Sequence, residues 1–221
     1  MKFKAVIFDF DGTLVDTCAD IALCINEMLS HFGYENKSNE QVKAALCFGP
    51  VKLVYNVLPP DVANDKKSLD ECVDFYRGKY NVSENKLTYP YHGIINLLSV
   101  LKENGIKVAI NTNKSSFQTQ NIVRGIFKDG TFDAIVGFSS EHPAKPDPFG
   151  ALSIAKEFGV DPCDMVYVGD SHVDIQTAKN AGMASVGVSW GYRSRDVLEQ
   201  EHPDFIADSV SQLSEFIFKH I

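Results

Sequence analysis

Residues 5–13 read AVIFDFDGT, and the fold turns on this stretch. Ala5-Val6-Ile7-Phe8 is a short, wholly apolar run, which reads as a strand covered on both faces. Asp9 and Asp11 stand where that strand runs out. In extended chain, residues i and i+2 point to the same side. Two like charges therefore face one spot at the edge of a core, an arrangement that is costly unless something positive sits there.

Working outward, four further short runs read as strands, several of them rich in Val and Ile and apolar throughout: Lys107–Ile110, Ala134–Val136, Met165–Val168 and Ala184–Val188, with Phe205–Ala207 as a final extended piece. Helical stretches separate the later ones. Ile94–Asn104 stops at Gly105, Ser115–Phe127 starts on serines suited to capping, Pro148–Phe158 carries a proline in its first turn, and Ser171–Ala181 stops at Gly182; Val210–Lys219 closes the chain. Alternation of strand and helix predicts an α/β, doubly wound parallel sheet. The interval after the first strand breaks the pattern. It has helical periodicity in Thr17–Phe32, Asn39–Phe48, Val51–Val57 and Lys66–Asn81, with Pro59-Pro60 interrupting. The expected organisation is a core of residues 1–15 and 88–221 with a helical cap, residues 16–87, inserted after the first strand.

A chain of 221 residues can bury a full core, and its net charge of −8 argues against a nucleic-acid partner. No stretch has the apolar length of a membrane span, and the short apolar start meets acid at once, unlike a signal peptide. The five cysteines, Cys18, Cys24, Cys47, Cys72 and Cys163, form no CxxC or Cys/His cluster and read as free thiols of a reducing cytoplasm. Composition leaves monomer and dimer both open.

In open α/β sheets, ligands sit beyond the carboxyl ends of the strands. Asp9, Asp11, Gly12 and Thr13 follow the first strand. Thr112, Asn113 and Lys114 follow the second, Lys145 comes past the third, and Gly169, Asp170, Ser171 and Asp174 follow the fourth. This set suits phosphoryl transfer. One carboxylate can attack phosphorus, and another can protonate the leaving oxygen and then activate water. Mg²⁺ prefers carboxylates, carbonyls, water and phosphate oxygen, and Asp9 and Asp170 fit as its side-chain ligands. Thr112, Asn113 and backbone N–H groups near Gly12 can donate to phosphate oxygens, while Lys145 balances the charge.

DFDGT at 9–13, the hydrophobic strand ending in Thr112-Asn113, Lys145-Pro146 and GDSHVD at 169–174 resemble, in order, the four motifs of the haloacid dehalogenase (HAD) superfamily, in its subclass with a helical cap after the first strand. The resemblance implies a Rossmann-like core with Asp9 as nucleophile and Asp11 as acid/base, the Asp11 backbone carbonyl reaching Mg²⁺. It implies Thr112 and Lys145 on the phosphate, Asp170 on the metal, and Asp174 as a carboxylate that orients them. LVDTCADIALCIN, PYHGI at 90–94, KPDP, VSWGYR and PDFIADS are similar to segments of phosphoglycolate phosphatases. The expected activity is thus Mg²⁺-dependent hydrolysis of a small phosphomonoester, 2-phosphoglycolate foremost. A pyrophosphatase, a β-phosphoglucomutase-like mutase and a non-catalytic binding protein on the same scaffold are the alternatives. Halide leaves without a proton, so the acid at position 11 favours an oxygen leaving group over dehalogenation. In the cap, Gly49 and Lys52 mark an expected substrate-selecting loop, although Lys52 alone reads as a solvated lysine.

Overall fold

The structure, a computed structural model, describes residues 3–46 and 48–220. The chain starts with β1 (Ala5–Phe8) and the two-residue β2 (Val15–Asp16). Five helices follow: α1 (Cys18–His31), α2 (Asn39–Ala45), α3 (Gly49–Val57), α4 (Pro60–Asn64) and α5 (Lys66–Asn81). It returns through β3 (Tyr89–Pro90) and then alternates: α6 (Ile94–Glu103), β4 (Lys107–Ser115), α7 (Ser116–Ile126), β5 (Ala134–Phe138), α8 (Phe149–Phe158), β6 (Met165–Gly169), α9 (His172–Ala181), β7 (Ala184–Val188), α10 (Arg195–Glu199), β8 (Phe205–Ala207) and α11 (Val210–Lys219). Two compact units result, one of Met1–Asp16 with Pro90–Ile221 and one of Thr17–Tyr89.

In the first unit, six parallel strands lie in the order β5-β4-β1-β6-β7-β8. This is the α/β parallel architecture expected from the sequence. β1 is central and buried end to end. Val6 pairs with Val108 on one side and Val166 on the other. Alternation along the strand sends Val6 and Phe8 into a core shared with α6 and α11, and Ala5 and Ile7 into one shared with α8 and α9. Each buried Val, Ile or Phe side chain contributes roughly 1.5–3 kcal/mol of transfer free energy, which fixes where β1 ends and where Asp9 begins. The chain runs from β1 towards β5, then crosses back to place β6 on the other side of β1. The strand order therefore reverses at β1, where such sheets bind ligands.

The helical unit has its own core. Ile21, Ile25, Met28 and Leu29 of α1 cluster with Cys72, Val73, Tyr76 and Tyr80 of α5 and with Leu53, Val54 and Val57 of α3. Two short helices were not anticipated. Pro60 was expected only to interrupt, yet it opens α4, because a first-turn proline lacks only an N–H that has no partner in the helix; α10 is too short to show a period. Cys18, Cys24 and Cys72 are buried free thiols and Cys163 is an exposed one; Cys47 lies outside the described residues. Among the described residues, no helix is long and apolar enough to cross a membrane.

Asp133, just before β5, ties three elements together. Its Oδ2 accepts from the Val108 backbone N–H (2.9 Å), and its Oδ1 accepts from Lys102 Nζ of α6 (2.8 Å) and Lys107 Nζ (3.4 Å). Burial pushes this carboxyl up, but the hydrogen bonds from Lys102 and Val108 and the two ammonium charges outweigh it and hold the pKa below the usual value. A depressed folded pKa contributes stability that is present above the unfolded pKa and lost as pH falls through the folded one. Asp133→Ala is expected to cost about 1–2 kcal/mol at pH 7. The gap from wild type should narrow in thermal melts below about pH 4, where the unfolded aspartate titrates.

Candidate active site

The site forms at the carboxyl ends of β1, β4 and β6; β4 runs on past the expected Ile110 to Ser115, so Thr112, Asn113 and Lys114 lie in its last residues and not after it. The Asp9 N–H donates to the Val168 carbonyl (2.8 Å), extending the β1–β6 ladder one residue past Phe8. Asp9 therefore emerges beside Asp170, which follows the neighbouring strand. After Asp9 the chain turns tightly, with the Phe10 carbonyl accepting from the Thr13, Leu14 and Val15 N–H groups (3.3, 3.0 and 3.2 Å). Gly12 takes a φ of +85°, and a Cβ there would lie 2.4 Å from Asp170 Oδ2. Gly191, after β7, closes the other side: its Cβ would fall 2.3 Å from the Asp170 Cβ and 2.4 Å from the Gly12 carbonyl oxygen. With no side chains at these two positions, backbone packs directly on Asp170. The next N–H, of Tyr192, donates to Asp170 Oδ2 (2.6 Å), and Thr13 Oγ1 donates to its Oδ1 (3.4 Å).

Lys145 lies at the centre. Its Nζ is 2.8 Å from Asp9 Oδ1 and 2.6 Å from Asp174 Oδ1, and all three residues are buried. Its backbone is gripped by the Asn113 carboxamide: Asn113 Nδ2 donates to the Lys145 carbonyl (3.2 Å) and Asn113 Oδ1 accepts from the Lys145 N–H (2.9 Å). Asp174, in the first turn of α9, accepts on Oδ2 from the Ser171 N–H (3.0 Å) and hydroxyl (2.6 Å). Thr112 is buried at the same strand ends, and its Oγ1 accepts from the Lys114 N–H (3.2 Å). Lys114, also buried, places Nζ 3.1 Å from each Asp11 carboxylate oxygen.

The charges do not cancel. Three buried carboxylates, Asp9, Asp170 and Asp174, surround one ammonium. Burial, then the Asp174 charge, pushes Asp9 up to about 7 against the pull of Lys145. Burial and the charges of Asp174 and Asp9 hold Asp170 well above the usual carboxylate range. Burial works against a charged Lys145, but Asp174 and Asp9 outweigh it and hold the ammonium well above its ordinary pKa. The three carboxylates each present an oxygen within 4.8 Å of the others. Asp9 Oδ1 faces Lys145 as an ion pair, yet among the described residues no well-formed hydrogen bond reaches it. A buried set of hard oxygen donors that outnumbers its one ammonium counter-charge fits a small divalent cation such as Mg²⁺.

The structure thus brings Asp9, Gly12, Thr112, Asn113, Lys145, Asp170 and Asp174 together, with Asp11 beside them on Lys114. Gly49 and Lys52 lie in the other unit, and the loop expected there is corrected. Gly49 opens α3, Pro50 sits in its first turn, and Leu53, Val54 and Val57 bury a helical face. Lys52 is exposed, with Nζ 4.1 Å from the centre of the Tyr55 ring. The contact of Lys114 with Asp11 and those of Gly191 and Tyr192 with Asp170 were not anticipated; only the lysine's place at a strand end gave any sign. Trp190 lies against the core, and its Nε1 donates to the Thr13 carbonyl (3.2 Å).

The family model described as haloacid dehalogenase-like hydrolase matches residues 6–188. The chain belongs to the haloacid dehalogenase-like hydrolases. Relatives in this family include a phosphoglycolate phosphatase of Neisseria meningitidis serogroup A, 33% identical over 96% of this chain and 92% of its own length. Phosphoglycolate phosphatase 1 of Pseudomonas aeruginosa is 29% identical over 95% of this chain and 78% of its own. A crystal structure from Lactobacillus delbrueckii subsp. bulgaricus, which carries the provisional name phosphoglycolate phosphatase, superposes with a TM-score of 0.89 at 30% identity, covering 98% of this chain and 99% of that one. The matched span, residues 6–188, contains every residue of the strand-end cluster.

Proposed function

We propose that this hydrolase removes phosphate from a small phosphomonoester, 2-phosphoglycolate foremost, by way of a phosphorylated Asp9. That the chain is a phosphatase follows from its family and from relatives of that name along nearly its whole length. The observation that carries the mechanism is the buried Asp9 carboxylate, held 2.8 Å from Lys145 at the end of the central strand.

An Asp9 oxygen attacks phosphorus, the bond from phosphorus to the ester oxygen breaks, and Asp11 gives its proton to that oxygen. Water then attacks the phosphorus, Asp11 takes the water's proton, and the bond to Asp9 breaks, returning the carboxylate and releasing inorganic phosphate. Lys145, the Thr112 hydroxyl and backbone N–H groups at Gly12 bear the negative charge of the phosphoryl oxygens. Asn113 acts through its grip on the Lys145 backbone, and Asp174 aims the ammonium. Asp9, Asp170 and the Asp11 backbone carbonyl would hold Mg²⁺. When bound, the ion offsets the repulsion between carboxylates and phosphate. The relatives' names support glycolate as the leaving group.

The test is a panel of 2-phosphoglycolate, sugar phosphates, p-nitrophenyl phosphate and pyrophosphate, each assayed with Mg²⁺ and with excess EDTA. The highest kcat/KM is expected for 2-phosphoglycolate, with activity lost in EDTA and recovered on adding Mg²⁺. Full activity in EDTA would overturn the metal assignment. Faster turnover of pyrophosphate, or transfer of phosphate between sugar positions without its release, would overturn the substrate.

A further inference from the structure

The site contains a second buried ammonium that the mechanism above leaves idle. Lys114 stands near the end of β4, its side chain only 4% exposed. Lysine is almost never buried without a partner, because desolvating the ammonium costs several kcal/mol. Here Asp11 is such a partner, with Nζ equidistant from both carboxylate oxygens at 3.1 Å. A lysine that straddles both oxygens limits rotation of the carboxyl plane as well as its position. The lysine is itself anchored: its N–H donates to Thr112 Oγ1, and two residues on α7 begins, capped by Ser115, whose Oγ accepts from the Gln118 N–H (3.3 Å). Lys145 spends its contacts on Asp9 and Asp174. The two buried lysines are thus divided between the two carboxylates assigned to chemistry.

The geometry points to Lys114 as the positioning residue for Asp11, holding its carboxyl where an oxygen can reach the leaving group. Proton transfer needs the donor oxygen at hydrogen-bond distance from the ester oxygen, and a shift of about 1 Å can cost 10²-fold. The demand is greatest for alkyl phosphates, whose leaving alkoxide cannot depart unprotonated. It is smallest for p-nitrophenyl phosphate, whose phenolate is stable in water. Lys114 therefore governs how steeply rate depends on the leaving group.

This inference rests on the phosphatase reading, and the experiment separates the two. With Mg²⁺ present, kcat/KM, which reports the steps through phosphorylation of Asp9, is measured on 2-phosphoglycolate and p-nitrophenyl phosphate for wild type, Lys114→Met, Asp11→Asn and the double variant. Lys114→Met is expected to lower kcat/KM on the alkyl ester by roughly 30- to 100-fold, and to lower the alkyl-to-aryl ratio by at least about tenfold. In the Asp11→Asn background the same change should leave that ratio within about threefold, since its effect passes through Asp11. Equal losses on both esters, or a full further loss in the double variant, would overturn the role and make Lys114 a direct substrate contact. Lys114→Gln gives the same comparison with a donor retained, and loss of fold in both variants would assign the lysine to stability alone. A wild type inactive on every ester defeats the phosphatase reading; an active wild type with an unchanged ratio in Lys114→Met defeats only this inference.

Discussion

Replacing Asp9 with asparagine is expected to lower kcat on every phosphomonoester by about 10³-fold or more and to leave the fold in place. An amide oxygen is a poor nucleophile, and removing the group that forms the covalent bond leaves only binding and charge stabilisation. The surroundings of Asp9 give the variant a second signature. Burial and Asp174 already work against a charged group at this position, pushing its pKa up to about 7. Asparagine keeps the shape and drops the charge, so the metal-free variant should melt no lower than wild type at pH 8, where wild-type Asp9 is ionised. Mass spectrometry of wild type quenched during turnover should find phosphate on the tryptic peptide that contains Asp9, and none in the variant. Residual activity within about tenfold of wild type would remove Asp9 from the nucleophile's place, and a large fall in melting temperature would make it a structural anchor instead.

The parts of this site that were legible in the sequence are those in which a side chain does the work near a strand end. Ala5–Phe8 leaves little choice but a buried strand, so the charges at positions 9 and 11 had to fall at its edge. Asp170, Asp174 and Lys145 were legible for the same reason, each just beyond another strand or at a helix entrance. The hidden parts depend on backbone atoms or on distant pairs. Tyr192 holds Asp170 through its N–H, which carries no residue-type signal, and Gly191 matters because the Asp170 Cβ and the Gly12 carbonyl oxygen come within 2.3 and 2.4 Å of where its own Cβ would be. Asn113 was expected to face phosphate because amides donate; its placement opposite the Lys145 backbone follows from the approach of two chain segments 32 residues apart. The pairing of Lys114 with Asp11 spans 103 residues and joins neighbouring strands β1 and β4, whose adjacency no local pattern encodes. At Gly49 the local signal misled: glycine reads as a turn, but the Pro50 that follows and the spacing of Leu53, Val54 and Val57 favour a helix.

Lys145→Met should have the other large effect, and on stability as well as rate. The lysine is the counter-charge for Asp9 and for Asp174, whose side chain is 1% exposed. Methionine fills comparable volume, so packing is retained while two buried carboxylates lose their ion pair. Breaking a buried pair by removing one partner costs about 3–5 kcal/mol. For a chain of this length that is a fall in melting temperature of roughly 10 °C. Turnover should drop by about 10³-fold, because no cation remains beside the phosphoryl oxygens. Mg²⁺ then becomes informative without any assay of activity. With the ammonium gone, the same carboxylates carry more uncompensated charge and should bind the ion more tightly, and a ligand that binds only the folded state raises stability in proportion to the logarithm of its concentration over Kd. Thermal melts across a Mg²⁺ titration should show a larger rise for Lys145→Met than for wild type, recovering part of the loss. An equal or smaller rise would mean that the lysine and the ion do not answer to the same carboxylates, and the charge balance argued for Asp9, Asp170 and Asp174 would fail with it.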